Sequence, residues 1–357
     1  MWTPESRGVT PGQRFRIEQW EPHLRSEGIE LTYHPFLDEG TATLLKHGGH
    51  WLAKATRLST LLLRRARQAV RTRDCDLVYV FRETALAGPA LAERILQQRR
   101  IPYVFDFDDS VWIRYRSPAN SFWSYLRCPG KTATSCRLAE HVLAGNETLA
   151  GYARIHALAV SIVPTTIDTD LYQPAPAKQA GTKTVIAWSG SYSTGPYLEL
   201  VRAVLQRLAR RFEFRVLIVG AQGFQVDGID VETRPWRLER ELQDLGEFDI
   251  GIMPLPDSPW ERGKCGLKAL QYMALSIPAV ASPVGVNREI IKHGENGLLA
   301  STEDEWEQSL ARLLSDVSLR RELGRAGRAT VEQEYSARIH APRVAEVFRG
   351  AAWRSRE

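Results

Sequence analysis

Residues Asp249–Asn287 read DIGIMPLPDSPWERGKCGLKALQYMALSIPAVASPVGVN. Ile250, Ile252, Met253 and Leu255 form an apolar run that reads as a buried strand, and Pro278–Ser282 reads as a second. Between them, Cys265–Leu275 places Leu267, Leu270, Met273 and Ala274 at helix spacing. Strand, helix and strand at this length make a βαβ unit, and hence a parallel sheet. Lys264 precedes the helix, Gly266 marks the turn and Lys268 falls in the first turn. A helix N-terminus carries unpaired N–H groups and partial positive charge, so the two lysines and the glycine fit an anion, phosphate above all. The plainer reading is a packed βαβ unit with two solvated lysines.

The chain has 357 residues, a length suited to about two domains. With 43% hydrophobic and 25% charged residues it has the make-up of a globular protein. A formal charge of +5 suits anionic partners such as nucleotides, lipid phosphates or a membrane surface. No nucleic-acid-binding module is recognisable. Cys75, Cys128, Cys136 and Cys265 have no zinc-type spacing and suggest no disulfide framework, which points to a reducing, cytoplasmic setting. No apolar run reaches membrane-spanning length, and the first residues lack the apolar core of a signal peptide.

In the first half, residues 7–16 (RGVTPGQRFR) read as a loop, with a helix after it bearing Ile17, Trp20 and Leu24, then a strand at Ile29–Tyr33. Such a loop and helix normally follow a first strand; either Met1–Thr3 is its remnant or the start site is misplaced. Arg14 and Arg16 can approach a phosphate or an acidic acceptor, or simply solvate a helix start. Residues 51–73 form a basic amphipathic helix without an acid, in which Leu58, Leu61, Leu62 and Val70 can share an apolar sector. It suits either an anionic membrane surface or a domain helix with one buried face. Strands are expected at Asp76–Arg82 and Pro102–Phe107, with a helix at Pro89–Arg99 between them. The second strand runs into Asp106, Asp108 and Asp109, at the carboxyl edge where ligands bind in open α/β sheets. Trp112, Arg114, Tyr115, Arg116, Phe122, Trp123 and Tyr125 follow, as acceptor pocket or packed crossover. Two more strands, Ala139–Ala144 and Ser161–Pro164, precede residues 174–183 (PAPAKQAGTK), which have linker composition.

The alternation then restarts. Thr184–Trp188 is a strand, Ser189–Gly195 a small-residue loop and Pro196–Arg210 a helix. This again forms a phosphate-binding geometry, although neither a dinucleotide fingerprint nor a P-loop is present. Phe214–Val219 is a strand, and Trp236 in the loop after Val231 can stack on a base or pack. Helices at 303–315, 318–335 and 342–353 close the chain.

WSGSYSTGPYLEL, FDIGIMPL, KCGLKALQYMA, IPAVASPVGVNREII and GENGLL, in this order and spacing, resemble the C-terminal domain of GT-B glycosyltransferases of family 4, glycosyl transferase group 1. PGQRFRIEQW and VPTTIDTDLY are similar to that family's N-domain loop and interdomain linker. The resemblance implies an α/β GT-B fold: two Rossmann-like domains facing across a cleft, with a C-terminal helix crossing back to the first. The implied domains are 1–163 on the acceptor side, 164–335 on the nucleotide-sugar side, and a terminal helix within 336–357. It further implies sugar transfer from a UDP- or GDP-linked donor to a glycan, lipid-linked or small-molecule acceptor, with retention and without metal or other cofactor.

On this resemblance the donor contacts are Gly12, Arg14, Ser189, Gly190, Ser191, Trp236, Lys264, Gly266, Leu267, Lys268 and Gln271, and the catalytic residues are Asp108, Asp109 and Lys268. The sequence departs from the family where most members carry Glu-x7-Glu: Gly263 and Gln271 occupy those positions, with Glu261 nearby. Gly8 and Gly12 replace a paired glycine loop, and Asp108 stands at the usual histidine. These departures keep two other readings open. One is a non-catalytic GT-B nucleotide-binding or scaffold protein. The other is a nucleotide-sugar epimerase using Asp106, Asp108 and Asp109.

Overall fold

Parallel pairing organises both halves of the chain. A computed structural model describes residues 1–46, 49–113, 128, 130–176 and 181–354. The expectations for Arg114, Tyr115, Arg116, Phe122, Trp123 and Tyr125, and for residues 177–180 of the linker, lie outside these. Two units emerge: Met1–Thr165 with His340–Glu357, and Thr166–Ile339.

The first unit begins with β1 (Trp2–Thr3), α1 (Pro11–Gln13), α2 (Glu21–Ser26), β2 (His34–Pro35), α3 (Glu39–Lys46) and α4 (Trp51–Arg71). It continues through β3 (Val78–Phe81), α5 (Leu91–Gln98), β4 (Tyr103–Phe107), α6 (Lys131–Leu138), β5 (His141–Ala144), α7 (Glu147–Arg154) and β6 (Val160–Ile162). The strands form a sheet in the order β2-β1-β3-β4-β5-β6. The pairs from β1 to β6 are parallel. Its central strands are covered on both faces, so β3 and β4 are buried throughout, as uninterrupted apolar runs require.

Three expectations need correction here. Residues 29–33 do not pair; the edge ladder holds only His34–Pro35, because Trp2–Thr3 offers two residues of register. The loop expected at 7–16 is helical from Pro11, and Arg14–Glu18 forms a π-helical turn. It carries Phe15 and Ile17 into the core, and Arg16 is buried with them. In α4 the inward residues are Lys54, Leu58, Leu61, Arg65 and Ala69, whereas Val70 is 50% exposed. Arg65 is tolerated inside because its guanidinium donates to Thr84 O, His34 O and the Gln68 side chain and lies over the Trp2 ring. Burial pulls its pKa down to about 9.

The second unit contains β7 (Thr184–Ser189), α8 (Arg202–Ala209), β8 (Phe214–Val219), β9 (Asp230–Arg234), α9 (Glu241–Leu245), β10 (Ile250–Met253), α10 (Pro259–Arg262) and α11 (Leu267–Ala274). Then come β11 (Ala279–Ala281), α12 (Asn287–Ile290), β12 (Leu298–Leu299), α13 (Glu303–Ser315) and α14 (Val317–Glu334). The sheet order is β12-β11-β10-β7-β8-β9, again parallel. Ile186, Trp188, Val216, Ile218, Ile250 and Ile252 from the strands meet Leu205 and Leu310 from α8 and α13 in one core. The helix expected at 196–210 is split: Gly195–Val201 is a 3₁₀ segment and α8 starts only at Arg202. Thr302 and Glu305 close a capping box on α13.

Two glycines of α14 set its approach to α11. A Cβ at Gly324 would stand 2.1 Å from Ser276 O, and one at Gly327 would stand 3.1 Å from Met273 Cγ. The last helix, α15 (Ala337–Arg354), lies within the first unit from His340 onward. There Phe348 meets the Tyr79 ring at 5.6 Å and Arg349 pairs with Glu27.

Candidate functional site

In the second sheet the chain runs outward from β7 to β9 and then returns to place β10 on the other side of β7. Ligands of open α/β sheets bind at the carboxyl end of such a switch point. β7 ends there in Ser189, whose N–H donates to Tyr272 Oη at 2.9 Å. The chain then turns through Gly190, which donates to Val219 O at 2.9 Å. Gly220 faces it with φ +93°, and a Cβ there would lie 1.9 Å from Gly190 O. A Cβ at Gly190 would lie 2.5 Å from the Trp188 ring and 2.6 Å from Lys268 Cε. Two bare backbones therefore let Lys268 lie across the loop, with its Nζ 5.4 Å from the Trp188 ring centroid.

Lys268 belongs to α11, which starts after Gly266 in the left-handed region, φ +68°. A side chain at 266 would also strike Ile290 Cδ1 at 2.3 Å. No side chain caps this helix start, so its leading N–H groups keep their partial positive charge. Leu267 is half-buried in the first turn, and half-buried Lys264 stands before it with its ammonium 5.9 Å from the Trp260 ring. The structure thus brings Ser189, Gly190, Gly266 and Lys268 into one corner, where an ammonium and uncapped helix N–H groups lie together. Ser191 is exposed on the adjoining turn, its hydroxyl 2.8 Å from that of Ser193.

Gln271 and Trp236 belong to a different arrangement. Glu241, at the start of α9 and buried, accepts from Tyr172 Oη at 2.8 Å, Trp236 Nε1 at 3.1 Å and Gln271 Nε2 at 3.2 Å. Trp236 is held by its indole N–H, which fixes the ring edge-on to the carboxylate. A carboxylate therefore lies one hydrogen bond from position 271, supplied by another helix. Sequence reasoning missed Glu241 and Tyr172, since nothing local marks them. Glu261, noted in the sequence for its nearness to Gly263, is buried and accepts from the Tyr197 and Ser258 hydroxyls.

The first sheet has its own switch point between β1 and β3. At its carboxyl edge Arg82, with φ +57°, donates to Asp108 at 2.5 Å and approaches Asp109 at 3.9 Å. Gly12 adjoins this pair; a Cβ there would lie 2.7 Å from both Arg82 Nη2 and Asp108 Oδ2. Burial alone would raise the Asp108 pKa, yet the Arg82 guanidinium outweighs it and holds the carboxyl below its usual range. Asp106 plays another part. It is fully buried, paired to Arg16 at 2.5 Å and hydrogen-bonded by Tyr79 Oη. Arg16 also donates to Val163 O, which ties the first helical turn to the end of β6. This corrects the reading of Asp106 as a cleft acid and of Arg16 as a solvated or ligand-facing cation. Arg14 is buried in the π turn, over the Phe15 ring. Among the described residues no cluster of His, Cys, Asp and Glu is suited to hold a metal ion.

Residues 183–316, most of the second unit, match the family model of glycosyl transferases group 1. No curated protein sequence matches the chain. Among solved structures it is similar to a sucrose-phosphate synthase from Thermosynechococcus elongatus, with TM-score 0.66 and 15% identity over 96% of this chain and 94% of that one. It is also similar to Anabaena HepE in complex with UDP-glucose, with TM-score 0.66 and 17% identity over 98% of each chain. A glycosyltransferase from Rickettsia africae gives TM-score 0.67 and 14% identity, again over 98% of each. The chain thus has the GT-B fold, with two Rossmann-like domains, and its residues 183–316 are similar to glycosyl transferases group 1.

Proposed function

We propose that this chain transfers a hexosyl group from a nucleotide-diphosphate sugar to a glycan, lipid-linked or small-molecule acceptor, with retention and without a metal. The observation that carries this reading is the position of Lys268, laid across Gly190 at the uncapped start of α11. As the glycosidic bond breaks, negative charge grows on the leaving diphosphate and the donor carbon becomes oxocarbenium-like. An ammonium and helix N–H groups fixed at that place stabilise the departing charge more than the ground state. Ser189, Gly190, Ser191, Lys264, Gly266 and Leu267 line the donor side, and Gln271 with Trp236 form its nucleoside end. In the first unit, Asp108 and Asp109 beside Gly12 serve the acceptor. HepE, in complex with UDP-glucose, and the family match of the second unit support this class of donor.

The experiment is calorimetric titration of the protein with UDP, GDP and their sugar conjugates, followed by an assay for nucleotide release. Lys268→Ala should weaken diphosphate binding about tenfold or more, the worth of a hydrogen bond to a charged group. Unchanged affinity would remove Lys268 from the site. A second reading, nucleotide binding without turnover, is favoured by Gly263, because Glu261 is already held by Tyr197 and Ser258. Tight UDP or GDP binding with no nucleotide release on any acceptor would select it.

A further inference from the structure

The helix α4 has two apolar sides, and only one of them is used. Leu58 and Leu61 face inward and pack with Phe36, Leu37 and Ala85. A helix that merely covers a domain is polar on its far side. Here Leu52 is 86% exposed, Leu63 59% and Val70 50%. At 100° per residue these three fall with Ser59 within about 40° of one another, roughly opposite the buried stripe. Arg67 and Arg71 follow along one flank, both exposed, and small Ala55 and Ala66 form the other. Trp51, 48% exposed, stands at the N-terminal end. The helix contains Lys54, Arg57, Arg64, Arg65, Arg67 and Arg71 and not one Asp or Glu.

From this surface we infer that the outer face of α4 docks on an anionic phospholipid surface, lying parallel to it. Leucines at the centre of the stripe enter the boundary of the acyl chains. The long arginine side chains extend from the flank to the phosphates. The charge selects this occupant. A second copy would set arginine against arginine with no acid to separate them, and a nucleic acid would leave the leucines without a partner. No helix among the described residues is long and apolar enough to cross a membrane, so the contact is with a surface. The face goes beyond the proposed donor chemistry and does not depend on it.

The test is co-sedimentation of the full chain with vesicles of phosphatidylglycerol mixed into phosphatidylcholine, against vesicles of phosphatidylcholine alone. Binding is expected to the first, weakening with salt, and not to the second. Each of Arg67→Gln and Arg71→Gln should weaken partitioning about fivefold. Leu63→Gln should weaken it without altering the salt dependence. All three sites are exposed, and an unchanged circular dichroism spectrum verifies the fold of each variant. Failure to bind the anionic vesicles overturns the inference. So does equal binding to both vesicle types, or binding that these substitutions leave intact. Self-association abolished by Leu63→Gln, without vesicle binding, would assign the face to a second copy instead.

Discussion

Gln271 donates its side-chain amide to the buried carboxylate of Glu241 across 3.2 Å. The two residues lie on different helices, α11 and α9, and the same carboxylate receives Tyr172 and Trp236. A glutamate at position 271 would set two carboxylates side by side out of water. Gln271→Glu alone should therefore destabilise the protein by about 1–3 kcal/mol, because a buried acceptor loses its donor and gains a like charge. Exchanging the pair, Gln271→Glu with Glu241→Gln, should recover most of that loss. Urea unfolding of both single variants and the double variant measures the coupling; additive losses would refute it.

Gly220 and Gly223 both have positive φ, +93° and +82°. Only Gly220 is crowded, by Gly190 O; nothing lies within 4 Å of a Cβ at Gly223. Gly223→Ala should cost about 1 kcal/mol, the backbone strain alone. Gly220→Ala should cost more and should also weaken nucleotide binding, since the loop under Lys268 must shift. Equal losses in the two variants, with affinity unchanged, would count against the close approach.

The Arg16–Asp106 pair is fully buried. Asp106→Asn leaves a cation uncompensated out of water, a loss of about 3–5 kcal/mol. Replacing both partners, as Arg16→Met with Asp106→Leu, should be markedly less harmful than that single change. Chemical denaturation of the three proteins decides the point.

Asp108 gives a dependence on pH. Its carboxyl titrates below the ordinary range in the fold because of Arg82. The stability it contributes is present above the unfolded-state value, about 4, and is lost as pH falls through the folded one. The unfolding free energy of wild type relative to Asp108→Asn should be flat above about pH 5 and should shrink below about pH 4. Arg82 is partly exposed, so the plateau should be near 1 kcal/mol. A difference that grows towards acid pH would contradict the pairing.

Much of this was legible in the residues. Alternating apolar runs and helix periods gave most strands and most helices, the strand at residues 29–33 excepted, and the close approach of Lys268 to the small-residue loop at 189–195 follows from their places in neighbouring βα units, because those signals are local. The Glu241 arrangement was not legible. Tyr172, Trp236, Glu241 and Gln271 are spread over a hundred residues, and each looks ordinary in its own surroundings. Asp106 was misread for a related reason: beside Asp108 and Asp109 it looks like a third site acid, but it still lies within β4, buried against Arg16, whereas the other two come after the strand has ended. Arg14 and Arg16 escaped because residues 7–16 read as a loop, and nothing local shows that the chain turns helical at Pro11 and carries both side chains inward.

The glycine seam between α14 and α11 has a consequence in time. With Gly324 against Ser276 O and Gly327 against Met273, the helix bearing Lys268 has no soft neighbour on that side to yield as it opens. Its amides from Leu270 to Ala274 should exchange with deuterium only when the whole unit unfolds. The lysine that would meet each arriving diphosphate is thus mounted on one of the slowest-opening parts of the chain, and whatever motion accompanies turnover has to come from elsewhere.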